Sequence, residues 1–211
     1  MRSRRSVGDA AIASVTLLAL CSGTWLLTSG DDGHAPPQPA ASQADVSGAP
    51  RTGPGAPALP PSPPDRIRIP SIRVDAPLMG LGLTKAGSLD VPPAGRRNLA
   101  GWYEAGTTPG ETGTAIVAGH VDNADGPAVF YRLGALRRGS TIEVERRDGG
   151  TALFEVDAVE VYDAKAFPDE KVYGAAARPE LRVITCGGGY SRTTGYRGNV
   201  VVFAHLVGGS R

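Results

Sequence analysis

Thr141-Ile142-Glu143-Val144-Glu145, then Asp148-Gly149-Gly150, then Thr151-Ala152-Leu153-Phe154-Glu155-Val156 read as one β-hairpin. The first arm alternates apolar and charged residues with a period of two, which puts one face inward and one toward water. Asp-Gly-Gly supplies the backbone freedom that a tight connection needs. Val159-Glu160-Val161-Tyr162 prolongs the second arm. Working outward, Thr114-Ala115-Ile116-Val117-Ala118 is a short apolar run of the kind a fully buried strand shows. Leu181 to Thr185 and Asn199 to Ala204 are two more strands, and Ile67, Ile69, Ile72 and Val74 lie in an extended stretch broken by Pro70. Turn-rich residues from Gly80 to Gly87 lead into Ser88-Leu89-Asp90-Val91-Pro92. Helical signals are confined to a turn near Val129–Leu133 and another around Asp169–Tyr173. Many short strands at regular spacing with little helix predict an all-β fold, a closed barrel rather than an open sandwich.

This module occupies residues 65–211 of a chain of 211. Residues 31–64 hold ten of the eighteen prolines among Ala, Gly and Ser, a composition that buries too little apolar surface to fold and reads as a disordered, solvated linker. Before it, no charge occurs from Ala10 through Gly30, and the run from Ala11 to Leu27 is apolar. Some twenty helical residues reach roughly 30 Å, the thickness of a hydrocarbon core. Arg2, Arg4 and Arg5 precede the span, so residues 1–30 are expected to form a cytoplasmic stub and a signal-anchor transmembrane helix, with the remainder outside the cell. Two other readings of the span are a cleaved secretory peptide ending near Thr28-Ser29-Gly30 and a lipidated Cys21, although Leu18-Ala19-Leu20-Cys21 has the bulky Leu20 where a lipobox wants a small residue. A formal net charge of +1 argues against an electrostatic partnership with nucleic acid.

Cys186 is the only cysteine of residues 65–211, in a module expected outside the membrane where cysteines are normally paired. It follows the strand Leu181–Thr185 and precedes Gly187-Gly188-Gly189, which offers no side chain to shield the sulfur. His120 follows the run that ends Ala118-Gly119; if the two strands are parallel neighbours, both residues emerge at one edge. An antiparallel return at Asn199 would bring Arg197 back beside Cys186. A thiolate attacks carbonyls, an imidazolium protonates a leaving amine, and a guanidinium donates hydrogen bonds to an oxyanion. Each residue also has a plain alternative. Cys186 can be a small core residue, His120 can satisfy a turn, and Arg197 can be a solvated edge charge with Arg192 as its rival. Asp122 either orients His120 or forms a turn, while His205 and His34 lie in the final strand and the linker. One cysteine and one histidine make no zinc site, and the sequence calls for no metal or other cofactor.

These residues carry a resemblance. Arg66-Ile67-Arg68-Ile69-Pro70-Ser71-Ile72, Gly101-Trp102-Tyr103, Thr114 through Asp122 with its Gly119-His120 pair, Val129-Phe130-Tyr131-Arg132-Leu133, Ile184-Thr185-Cys186-Gly187-Gly188 and Tyr196-Arg197-Gly198 through Ala204 together resemble the sortases, specifically the actinobacterial class F type. The resemblance implies an eight-stranded barrel with one or two short helices and a membrane-anchored, monomeric cysteine transpeptidase. It makes Cys186 the nucleophile, His120 the general acid/base and Arg197 the oxyanion or substrate stabiliser. The substrates it implies are surface proteins with an LPXTG-like signal, cut between Thr and Gly through a thioester and passed to an amine on a peptidoglycan precursor or a pilin. The Gly-Gly pair after Cys186 and the Cys-to-Arg spacing depart from better-described classes, so signal preference does not carry over. An L,D-transpeptidase would set its cysteine after Ser-His-Gly, and papain-like or NlpC/P60 hydrolases set the cysteine before the histidine; neither order occurs here. The alternative from another class is a catalytically silent wall-binding module on a tether.

Overall fold

The computed structural model of the protein describes residues 35–44, 56–191, 193 and 195–210. The expected membrane span, Cys21, His34 and Arg192 lie outside the described residues. Strand β1 (Pro64–Ile69) buries Ile67 and Ile69 completely, and Arg66 and Arg68 alternate with them on the outer face. Pro70 cannot donate to a ladder, and the chain turns through one 3-10 turn, Pro70–Ile72, into β2 (Val74–Leu81), antiparallel to β1. β3 (Ala100–Tyr103) runs parallel to β2, and β4 (Gly113–Gly119) antiparallel to β3. A separate two-stranded ribbon of β5 (Asp122–Asn123) and β6 (Gly126–Pro127) follows. The hairpin read from sequence is β7 (Thr141–Arg146) and β8 (Thr151–Asp163), after which comes the five-residue helix α1 (Asp169–Tyr173). β9 (Pro179–Ser191) and β10 (Gly195–Ser210) complete the chain. Strand order β1-β2-β3-β4-β9-β10-β8-β7 closes through the antiparallel pairing of β7 with β1, giving an eight-stranded barrel without free edges.

Two apolar layers follow from the alternation. Inward residues fill the barrel, with Phe130, Phe154, Leu133, Leu181 and Leu206 at its centre. Outward residues Ile116, Ile184, Val201 and Phe203 form a second cluster with Val172 of α1, so one outer face of the sheet is also dry. This second layer accounts for β4 and β9 reading as continuous apolar runs rather than alternating ones. Part of the segment read as solvated linker is packed. Backbone N–H groups of Ala56 and Leu59 donate to Leu206 and Gly110 (3.2 and 2.8 Å), and Leu59 packs against the barrel core. The guanidinium of Arg146, almost wholly buried, donates to the carbonyls of Pro60 and Pro109 and to Asp148. Farther back, Gln43 accepts from the backbone N–H of Arg138 at 2.8 Å. A proline-rich strip without its own core can dock where the barrel satisfies its polar groups, and composition does not register that.

Candidate active site

β4 and β9 are parallel neighbours, with Ala118 opposite Ile184. One residue on, the Thr185 hydroxyl donates to the Gly119 carbonyl at 2.8 Å, a buried bond that locks the two strand ends in register. One residue further, His120 and Cys186 come level on the outward face that also carries Ile116 and Ile184. β10 returns antiparallel with Asn199 opposite Cys186 and Gly198 opposite Gly187. Arg197 sits at the shift between Tyr196–Tyr190 and Gly198–Gly187, exposed at the rim beside the thiol's strand. Register thus gathers the three residues at one end of the barrel.

The strand does not stop at the cysteine. β9 continues to Ser191 through the glycine triplet, longer than the run Leu181–Thr185 predicts. Gly188 and Gly189 have φ of 76 and 85°, and this left-handed pair creates the irregularity that Arg197 faces. Gly198 is required for another reason: a Cβ there would lie 1.9 Å from the carbonyl oxygen of Tyr162 on β8.

The His120 ring is held by the loop between β2 and β3, its Nε2 lying 2.6 Å from the carbonyl oxygen of Pro92. A carbonyl only accepts, so Nε2 carries a proton and Nδ1 is the nitrogen with a lone pair in the neutral ring. Asp122 is not the group that holds His120. Its carboxylate accepts from the hydroxyl of Tyr196, tying the His120 loop to the start of β10. Burial and then the Asp122 charge push the Cys186 thiol above its ordinary pKa, although the residue as a whole is exposed. At neutral pH the resting sulfur is therefore protonated. Burial and the same carboxylate push the Tyr196 hydroxyl upward too, so it remains a neutral donor. Tyr196 also packs on Tyr190, ring centroids 5.1 Å apart. Neither the Tyr196–Asp122 bond nor the Pro92 carbonyl contact leaves a mark in the local sequence, because both join segments distant in the chain.

Along the same outer face, a cavity of about 710 Å³ lies between Leu89, Tyr103, Thr114, Ile116 and Tyr173 of α1. Ile116 precedes His120 by four strand residues, roughly 13 Å. Among the described residues no cluster of three His, Cys, Asp or Glu side chains could hold a metal ion, and no helix is long and apolar enough to cross a membrane.

A closed eight-stranded barrel with a thiol and an imidazole level with each other on two parallel neighbouring strands defines the class. A family profile described as the sortase domain matches residues 67–207, and the chain belongs to the sortase family, whose members are cysteine transpeptidases. Solved structures agree in fold. The SrtA sortase from Actinomyces oris is 19% identical with a TM-score of 0.56, covering 74% of this chain and 89% of its own. Sortase A from Listeria monocytogenes is 17% identical with a TM-score of 0.51, covering 69% and 87%. Sortase C1 from Streptococcus suis is 16% identical with a TM-score of 0.52, covering 70% and 74%. No curated protein sequence matches the chain.

Proposed function

We propose that the protein is a membrane-anchored class F sortase that cuts an LPXTG-like signal between Thr and Gly and transfers the acyl part to an amine. The observation that carries this reading is the level emergence of His120 and Cys186 from parallel β4 and β9, within a sortase domain. Peptide residues before the scissile bond fit the apolar cavity beside Ile116 and Tyr103, which shares its face with the thiol. The Cys186 S–H proton passes to the lone-pair nitrogen of His120 as the sulfur attacks the Thr carbonyl carbon. Arg197 donates hydrogen bonds to the resulting oxyanion. The imidazolium returns the proton to the departing Gly nitrogen, leaving a thioester on Cys186. An amine of a peptidoglycan precursor or pilin then attacks that carbonyl, and the thiol leaves with a proton. Residues 1–30 would anchor the protein in the membrane with the barrel outside the cell.

The test is cleavage of a quenched LPXTG peptide by the full chain in detergent, with mass detection of the acyl-enzyme. Cys186→Ala, His120→Ala and Arg197→Ala should each abolish cleavage without unfolding the domain. An Arg197→Ala variant with full rate beside an inactive Arg192→Ala variant would move the oxyanion role to Arg192. A thiol inert to iodoacetamide even at alkaline pH, in a protein that cuts no peptide, would leave the silent wall-binding module as the reading.

A further inference from the structure

A second cavity, about 530 Å³, lies on the other side of the rim, over a floor of Ile72, Val74 and Val129. Three arginines, Arg73, Arg97 and Arg132, line it together with Asn98 and Tyr131, and no carboxylate does. Arg97 spends two N–H groups on the Pro127 carbonyl (3.1 and 2.8 Å). The side chains of Arg73 and Arg132 make no hydrogen bond or ion pair among the described residues. Asp75, the carboxylate next along β2, is already taken by Arg66 and Arg68. The charges of Arg73 and Arg132 are therefore uncompensated within the described residues.

Arg73 also holds an unusual backbone. With φ 60° and ψ 37° it is the only non-glycine residue with positive φ among the described residues. A glycine would occupy that left-handed turn without strain, yet the sequence puts a long cationic side chain there.

The cavity opens at the reactive end of the barrel. Leu78 pairs with Ala100 and Ala100 with Gly119, so the first residues of β2 project past the end of β4, where His120 emerges. The backbone that forms the other wall is bonded to the site itself: Ala128 N–H donates to Val121 and Phe130 N–H to His120, both at 3.0 Å. Tyr131 lies near enough to Tyr196 to help raise its hydroxyl's pKa, and Tyr196 in turn holds Asp122 beside the thiol. The apolar cavity on the outer face of β4 and this cationic one thus approach the thiol from different sides.

We propose that the Arg73–Arg97–Arg132 cavity binds an anionic group on the incoming amine acceptor, a carboxylate near the amine or a phosphate on its carrier. This rests on the transpeptidase reading above. The acyl donor occupies the apolar side, the thioester forms on Cys186, and the acceptor enters from the arginine side with its amine toward the carbonyl. Free guanidiniums on an apolar floor suit planar or tetrahedral oxyanions, which they can grip with paired N–H donors.

The experiment uses the full chain in detergent and three acceptors: glycinamide, glycine and O-phosphoethanolamine. Acyl-enzyme on Cys186 is read by mass without acceptor, and transfer is then read as kcat/KM for each amine. Wild type should favour an anionic acceptor over glycinamide by about tenfold or more at low salt, and the preference should shrink as salt rises. Preference for glycine alone identifies the carboxylate, and preference for O-phosphoethanolamine alone the phosphate. Arg73→Gln with Arg132→Gln should bring the ratio of anionic to neutral acceptor to near one. Arg73→Gly should lower the same ratio while melting no lower than wild type, which separates a binding role from a structural one. An acyl-enzyme with no anionic preference, or variants that leave the ratio unchanged, overturns the proposal. If no acyl-enzyme forms, the transpeptidase reading fails first, and the cavity is judged by phenylglyoxal labelling of Arg73 and Arg132. Protection by millimolar inorganic phosphate or glycine then supports an anion site, and equal labelling with and without them overturns it.

Discussion

The β9–β10 hairpin has two halves built to different rules. From Leu181 to Thr185, opposite Val200 to Ala204, inward side chains are sealed in the barrel and outward Ile184, Val201 and Phe203 are sealed under the second apolar layer. From Cys186 onward the same two strands carry a glycine triplet, two left-handed residues, a register shift, and exposed Tyr190 and Arg197. The packed half fixes where the thiol stands. The open half leaves room for a polypeptide to reach it. The candidate reactive groups therefore sit at the boundary of the packed half, on strands whose positions are over-determined a few ångströms below, which keeps geometry precise without closing the site.

The sharpest way to break this comparison is to exchange the consequences of its two halves. Cys186→Ala should lose at least about 10³-fold in peptide cleavage while changing stability by less than ~0.5 kcal/mol in urea unfolding. Phe154→Ala, in the fully buried layer, should instead cost about 3–5 kcal/mol of stability. If Cys186→Ala destabilised the barrel comparably, the open half would be core and the distinction would collapse. Gly198→Ala probes the boundary, because its methyl group would collide with the Tyr162 carbonyl and force β10 from β8; a loss of about 2–3 kcal/mol in the same assay is expected. Thr185→Val removes the bond to the Gly119 carbonyl and should cost about 1 kcal/mol, with kcat falling as His120 and Cys186 lose their common level. Asp122→Asn is the mildest change. It removes the charge that helps hold the Cys186 thiol high but keeps an oxygen for Tyr196, so the pH profile of iodoacetamide alkylation should move to lower pH. An unmoved profile would leave burial alone as the cause.

Much of the barrel was legible in the chain because strand signals are local. Ile142, Val144, Phe154 and Val156 declare a period of two within a single hairpin, and Pro70 marks the break between β1 and β2 at the residue where the ladder ends. The extension of β9 past Cys186 was not legible. Glycines disfavour strand by propensity, and only the pairing of Gly187 and Tyr190 with β10, on either side of the left-handed Gly188-Gly189 pair, carries the strand past the thiol. Leu59, Pro60 and Ser62 have the composition of a solvated linker, and their docking depends on Gly110, Arg146 and Thr108, each more than forty residues away. At the site, Cys186, His120 and Arg197 stood out by residue type and neighbouring glycines. The Pro92 carbonyl, the Tyr196–Asp122 bond and the arginine cavity had no such mark.

What the sequence alone determined is the set of candidate reactive groups and the strands that carry them, since thiol, imidazole and guanidinium chemistry is intrinsic to each side chain and period-two patterning is intrinsic to each segment. Tertiary structure decided how those groups are tuned and what surrounds them. Parallel pairing of β4 with β9 sets Cys186 level with His120; the Pro92 carbonyl of the β2–β3 loop accepts from Nε2 of His120; burial, and then Asp122 held by Tyr196, raises the pKa of the thiol. Each depends on the positions of charges and carbonyls brought together across the barrel from distant parts of the chain, and local sequence carries no record of such distances.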